Sequence, residues 1–229
     1  MQRRLAGTLG VWVVACAALV AADFWDEKDF TTWSDKEVEK MLTDSPWSRE
    51  VTIVLGGPRP SRIQGGGGGG RGGGRGRGGA EFANRVRRAT VTVSWIRALP
   101  VKQALVRSEI GIDARIPPES QELLSQTELY YVVSVSKLPP RFAALAQDIP
   151  AVVAETELNR KNKEPISPYD VRFFRNDADP SIQVVYQFPK TDAITLDDED
   201  VEFITKLGGI DVKKKFKLKD MVFGERLVL

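Results

Sequence analysis

The chain has 229 residues, of which 42% are hydrophobic and 28% charged, a composition sufficient for one folded domain with a core of ordinary size. It contains no histidine, which excludes the usual catalytic triads and most zinc sites. The formal net charge of +2 falls to zero once Arg3 and Arg4 are removed with the leader predicted below, so any preference for an anionic partner has to come from local patches.

Residues 1–22 have the pattern of an export signal. A short positive segment ending at Arg4 precedes an apolar run from Leu5, and Val20-Ala21-Ala22 supplies small residues before Asp23. We therefore expect cleavage after Ala22 and a periplasmic or extracellular mature protein.

The only cysteine, Cys16, lies inside this apolar run, so the mature chain is expected to have no disulfide and no thiol nucleophile. Val13-Val14-Ala15-Cys16 also fits the lipobox of bacterial lipoproteins, which makes Cys16 a candidate lipidation site. Simple cleavage is preferred because Ala17–Val20 is apolar, where lipoproteins usually become polar. An uncleaved anchor is a third alternative. Membrane contact is expected only through the leader or a lipid on Cys16.

A helix is predicted to begin after Ser34. Ser34 and Glu37 have the spacing of a capping box, and Val38, Met41 and Leu42 then form an apolar stripe that Ser45-Pro46 ends. Aromatic residues surround this helix, among them Trp25, Trp33 and Trp47. They could form a ligand platform, but we interpret them as packing the helix onto the main domain.

A strand is predicted at Glu50–Leu55, and a second at Ala89–Ile96, where apolar residues alternate with Thr and Ser. Between them, residues 56–80 are rich in glycine and arginine and contain no acidic residue, so we expect a long disordered Gly/Arg loop. This loop could link two domains. We prefer a loop inside one antiparallel hairpin, because the 33 residues from Asp23 to Leu55 are too few for a stable domain.

The same loop is a candidate site for anions or RNA, since arginine binds phosphates and stacks on bases. Interleaved Phe or Tyr residues are absent and an export signal precedes the loop, so nucleic acid is not the expected partner. The candidate anion-binding residues are Arg59, Arg62, Arg71, Arg75 and Arg77.

The middle of the chain alternates short helices and strands. A helix is predicted from Pro100 and helical turns at Glu119–Gln126, and the β-branched and aromatic segment Leu129–Val135 indicates a central strand. Further predicted elements are helices at Arg141–Gln147 and Ala151–Asn159, and a hairpin formed by Val171–Arg175 and Ser181–Phe188.

The C-terminal segment is predicted to form a second hairpin, Val201–Leu207 with Ile210–Leu218, joined at Gly208-Gly209. Its second strand alternates apolar residues with a lysine row, and its apolar face requires a partner layer. The lysines could bind lipid headgroups or other phosphates, but we favour a role in preventing edge-to-edge aggregation. The row consists of Lys213, Lys215, Lys217 and Lys219.

The acidic stretch Thr191–Asp200 lacks the spacing and turn glycine of an EF-hand, so we assign no metal ligand and no cofactor. Paired carboxylates could act as acid and base in a hydrolase. Nothing in their spacing indicates that they converge, and no catalytic residue is assigned.

Four segments resemble a family of small exported bacterial proteins without assigned activity. They are W-S-D-K-E-V-E-K-M-L-T-D-S-P-W at Trp33–Trp47, S-W-I-R-A-L-P-V-K-Q-A-L at Ser94–Leu105, F-P-K-T-D-A-I-T-L at Phe188–Leu196 and K-F-K-L-K-D-M at Lys215–Met221. The resemblance implies export, but it brings no reaction, ligand or catalytic residue.

We therefore expect a single α+β domain over residues 23–229, with a mostly antiparallel sheet, short helices on one face and the Gly/Arg loop as an interruption. The expected function is a non-enzymatic binding or structural module of the cell envelope, whose partner is an envelope protein or surface polymer. The alternatives are anion or nucleic-acid binding through the Gly/Arg loop and, third, a carboxylate-dependent hydrolase.

Overall fold

The computed structural model describes residues 23–55, 87–175 and 179–229. Its helices are α1 (Phe24–Glu27), α2 (Asp35–Thr43), α3 (Leu99–Ile110), α4 (Pro118–Ser125) and α5 (Ile149–Ala154). Its strands are β1 (Ser48–Val54), β2 (Arg88–Trp95), β3 (Tyr130–Leu138), β4 (Thr156–Arg160), β5 (Asp170–Arg175), β6 (Ile182–Pro189), β7 (Asp200–Leu207), β8 (Ile210–Lys217), β9 (Val222–Phe223) and β10 (Arg226–Leu227). Short 3-10 helices lie at Phe30–Thr32, Pro140–Gln147, Leu196–Asp198 and Leu218–Asp220.

The larger of the two main sheets has five antiparallel strands in the order β1-β2-β3-β6-β5. The predicted pairing of the strands that flank the Gly/Arg loop is confirmed, because β1 pairs with β2 in register from Ser48↔Ser94 to Val54↔Arg88. The predicted central strand is also confirmed: β3 occupies the middle of this sheet. The α+β class with mostly antiparallel strands therefore holds.

The C-terminal hairpin forms as predicted. Strands β7 and β8 pair from Asp200↔Lys217 to Leu207↔Ile210, and the turn glycines Gly208 and Gly209 have φ of 56° and 81°, a conformation that glycine adopts without steric cost. With β4 on its other side, β7 becomes the centre of a separate three-stranded sheet.

The partner layer that the hairpin requires is the five-stranded sheet. The Phe203 ring of β7 lies 5.2 Å from that of Tyr186 and 6.4 Å from that of Phe188, both on β6. The Phe216 ring of β8 lies 5.9 Å from that of Trp95 on β2. These edge-to-face contacts join the two sheets through one contiguous apolar core, with helices α2 and α3 on the opposite face of the larger sheet.

The N-terminal aromatic residues pack as expected. Trp33 and Trp47 are fully buried, and the Trp47 indole donates a hydrogen bond of 2.7 Å to the carbonyl of Val228 near the other end of the chain. The capping box is present: the Ser34 hydroxyl accepts from the Glu37 amide, and the Glu37 carboxylate accepts from the Ser34 amide. The tryptophans therefore attach α2 to the body of the protein.

One helix prediction is wrong in its second half. The segment predicted as a helix over Ala151–Asn159 is helical only to Ala154, and Thr156–Arg160 forms the edge strand β4. The alternating burial of Thr156, Leu158 and Arg160 shows a period of two, and pairing with β7 outweighs the local helical tendency. The helix predicted at Arg141–Gln147 is a 3-10 helix.

Candidate functional site

The helix side of the five-stranded sheet carries a large concave surface. It lies between α2 and α3, above β2 and β3, and encloses about 1020 Å³. We call it the sheet groove. Its floor is Thr92, Ser94, Ser134, Ser136 and Gln183, and its aliphatic walls are Val38, Leu42, Val101, Leu105 and Leu123.

The floor is built by strand register. Thr92 pairs with Ser136 and Ser94 with Ser134, so four hydroxyl-bearing residues meet on one face of two neighbouring strands. The Ser94 hydroxyl is also hydrogen-bonded to that of Ser48 on β1. Hydroxyl groups both donate and accept hydrogen bonds, so this floor can bond with donor groups and with acceptor groups of a ligand.

The Thr92 hydroxyl of the floor is fully buried without a hydrogen bond to the described residues. Thr92 is 3% exposed, and its Oγ1 is buried without a partner among the residues that the structure describes. Buried polar atoms are paired in the large majority of cases. Among the described residues, unpaired buried side-chain atoms also occur away from the groove, at Trp95, Gln103, Arg107 and Arg160, so this one does not by itself assign a function to the floor.

A β-bulge shapes the rim of the groove. The register of β3 against β6 shifts between Val135 and Leu138, and Lys137 has a φ of 60°. Bulges of this kind redirect side chains, and here the Lys137 ammonium lies 3.2 Å from the carboxylate of Glu50 on β1. The charged groups of this pair therefore stand at the edge of a neutral floor.

Lys102 of α3 lines the groove from the helix side and is only 3% exposed. Its ammonium donates to the carbonyls of Leu123 and Gln126 at 2.9 and 3.5 Å, and to the Glu128 carboxylate at 3.0 Å. These three bonds use all three protons of the ammonium group. Lys102 therefore ties α3 to α4 and to the segment that enters β3.

Arg107 stabilises the two helices that wall the groove. It is 3% exposed and lies in the last turn of α3, and its Nη2 donates to Asp35 at the start of α2 at 3.2 Å. A cation at a helix C-terminus and a carboxylate at a helix N-terminus also suit the two helix dipoles.

The lysine row predicted as a candidate anion site lies on the outer face of the three-stranded sheet. Lys213, Lys215 and Lys217 are exposed on β8, whereas Lys219 belongs to the following 3-10 helix. Carboxylates of β7 stand opposite two of these lysines in the register Asp200↔Lys217 and Glu202↔Lys215. Opposite charges in facing positions stabilise a strand pair, so the net positive charge of this face is lower than the row alone indicates. Anion binding by these lysines stays a prediction.

Two carboxylates of the acidic stretch before β7, Asp192 and Asp198, form ion pairs with cationic side chains. Asp192 accepts a hydrogen bond from the buried Arg160, and that bond lowers the pKa of Asp192. Burial alone would raise the pKa of Asp198, but the hydrogen bond from Lys163, which lies 2.7 Å away, leads the contributions that lower it overall. A general acid requires a raised pKa, so neither carboxylate suits that role.

The remaining candidate residues lie outside the described residues. These are the lipidation candidate Cys16 and the loop arginines Arg59, Arg62, Arg71, Arg75 and Arg77, together with the predicted leader. Among the helices that the structure does describe, none has the length and apolar character needed to cross a bilayer.

Sequence reasoning missed the groove. It interpreted Thr92 and Ser94 as the solvent-facing side of a half-buried strand, and assigned no role to Lys102. The available signal was the matching pattern of small hydroxyl residues in T-V-T-V-S-W and V-V-S-V-S, which becomes informative only when both strands are known to pair.

Comparison with protein-family models, with curated proteins and with solved structures finds no match to this chain. The fold is an antiparallel two-sheet α+β arrangement, and its groove combines a hydroxyl-bearing floor with aliphatic walls. The resemblance to small exported bacterial proteins stays a prediction.

Proposed function

We propose that this protein is an exported, non-enzymatic binding module of the cell envelope, and that its sheet groove holds a segment of a partner protein. The observation that supports this most is the combination of a hydroxyl floor, formed by residues such as Ser134 and Ser136, with aliphatic walls.

The chemistry of the groove favours a peptide segment. A peptide backbone alternates donors and acceptors, which a hydroxyl floor can satisfy, and aliphatic side chains of the segment would contact Val38, Leu42 and Leu105. The volume of about 1020 Å³ is slightly above the range of roughly 300–1,000 Å³ that is typical of small-molecule sites. No aromatic side chain occurs among the described residues of the lining, which disfavours nucleobases, since these bind by stacking.

Site-specific photo-crosslinking tests this function. We expect a benzoylphenylalanine placed at Leu105, which is 39% exposed in the groove wall, to form a discrete adduct with an envelope protein in native cells. The same group at Lys213, on the outer face of β8, is expected to form none. Ser136→Trp should abolish the Leu105 adduct by filling the groove, whereas Ser136→Ala should preserve it.

Circular dichroism establishes that each variant is folded, and Leu42→Glu in the opposite wall provides a second block of the groove. Equal adducts from the two labelled positions, or an adduct that persists in folded Ser136→Trp and Leu42→Glu proteins, would exclude the groove as the binding surface.

A further inference from the structure

A second cavity, which we call the lysine pocket, lies on the other side of Lys102. It encloses about 720 Å³ between the start of α3, the segment before β3, the segment after β6 and residues 226–229. This volume falls within the range of small-molecule sites. The pocket is separate from the sheet groove, except that Arg97 and Lys102 line both.

The lining of the lysine pocket is amphipathic, and its cationic side chains outnumber its acidic ones. Four cationic side chains line it, Arg97, Lys102, Lys190 and Arg226, against two carboxylate side chains, Glu128 and Asp197. The apolar part of the lining is Leu99, Leu124, Ile194, Leu196, Leu227, Val228 and Leu229. A ligand with an apolar body and one negative charge would complement both features.

Glu128 is already neutralised within the protein. Its carboxylate lies 3.0 Å from the Lys102 ammonium and 3.9 Å from Nε of Arg97. Lys102 has no remaining proton for a ligand, because two backbone carbonyls accept the other two. The cation available to a ligand is therefore not Lys102.

Two of these cations, Lys190 and Arg226, make no ion pair with the described residues, and Lys190 is the less exposed of the two. Within the described part of the chain, no carboxylate lies within salt-bridge distance of its ammonium, which instead stands 4.7 Å from the centre of the Tyr131 ring. Burial is the main cause that lowers the pKa of Lys190. The negative charge of Glu128 raises this pKa, and the positive charge of Lys102 lowers it further. A bound anion in direct contact would stabilise the charged form of Lys190 beyond what the Glu128 charge and the Tyr131 ring provide.

Tyr131 presents the face of its ring to this ammonium and carries a hydroxyl at the end of the ring. Its hydroxyl accepts a hydrogen bond of 2.8 Å from the Ile194 amide, which leaves the phenolic proton to be donated. Tyr131 lines the pocket and is held in place by an edge-to-face contact with Trp95 at 6.0 Å. The Lys190 ammonium and the Tyr131 ring thus lie on the same wall of the pocket, together with its apolar residues.

We propose that the lysine pocket binds a small amphipathic carboxylate, with its carboxylate paired with Lys190 and its apolar body against Leu124 and Leu196. This inference does not depend on the function proposed for the sheet groove. Charge-assisted hydrogen bonds to an ammonium are the strongest contacts available in such a pocket, so Lys190 determines the selectivity for anions.

Calorimetric titration with octanoate, matched against uncharged 1-octanol, tests the proposal. We expect saturable binding of octanoate, weaker binding of octanol, and a loss of octanoate affinity of about tenfold in Lys190→Gln. Lys190→Arg should retain binding because the charge is kept, and Lys213→Gln on the distant face of β8 should behave like the unmodified protein.

Lys190 is half-buried and makes no ion pair with the described residues, so its variants are expected to fold, which a thermal melt verifies. Ser136→Trp should leave octanoate binding unchanged, so this proposal and the groove proposal can fail separately. Absence of saturable octanoate binding, equal affinity for octanol, or unchanged affinity in folded Lys190→Gln would overturn it.

Discussion

Replacing Phe203 by alanine is expected to lower the free energy of unfolding by about 3–5 kcal/mol, the usual cost of truncating a buried Phe. Phe203 is fully buried between the two sheets, where its ring contacts those of Tyr186 and Phe188. Removing it leaves a cavity at the contact that joins the C-terminal hairpin to the larger sheet. Urea unfolding followed by circular dichroism measures the change.

The next residue along β7 supplies the matched control. Ile204 points to the other face of the three-stranded sheet and is half-buried, so Ile204→Ala should cost much less. Equal losses for the two substitutions would show that the inner face of the hairpin is not the one packed against the larger sheet.

Replacing Glu128 by glutamine is expected to cost about 3 kcal/mol, because it leaves the buried Lys102 ammonium without its carboxylate. The Lys102 side chain is 4% exposed and that of Glu128 is 16% exposed. Removing the second charge as well, in the double variant Lys102→Met with Glu128→Gln, should recover part of the lost stability. The double variant has no unpaired buried ion, so the desolvation penalty of that ion is absent. Urea denaturation of the three variants measures both effects.

An exposed ion pair in the same protein serves as the control for Glu128. Lys137 and Glu50 are 53% and 48% exposed, so Glu50→Gln should cost less than about 1 kcal/mol. If Glu128→Gln lowered the free energy of unfolding as little as Glu50→Gln, the Lys102 ammonium would have to be in contact with water. Lys102 would then not be buried between the two cavities.

Local sequence patterns were sufficient to predict the strands and helices whose apolar residues recur with a regular period. The alternation around Val212 and Phe216 predicted β8, the glycine pair predicted its turn, and the spacing of Ser34 and Glu37 predicted the start of α2. These signals lie within a few residues of one another, so they do not depend on the rest of the fold.

The features that failed or were missed depend on contacts between distant segments. Thr156–Arg160 becomes a strand because β7 offers an edge, and that edge is more than forty residues away. Nothing near Val201–Leu207 indicates that its hairpin forms a separate sheet from β3 and β6. Local propensity is therefore overridden where pairing supplies more free energy than the segment itself.

The candidate site was missed for the same reason. Ser94 and Ser134 become a groove floor only through the register of β2 against β3, and Lys102 is buried only because the segment around Glu128 folds back on α3. A lysine in a helix is ordinarily interpreted as solvent-exposed.

The most direct test of the central claim is chemical-shift mapping of the isotopically labelled protein with a synthetic peptide of the segment recovered by crosslinking. Binding in the sheet groove predicts shifts concentrated at the amides of residues 92–94, 101–105 and 134–136, with those of residues 213–217 unaffected. Shifts confined to β8, or spread evenly over the surface, would contradict it.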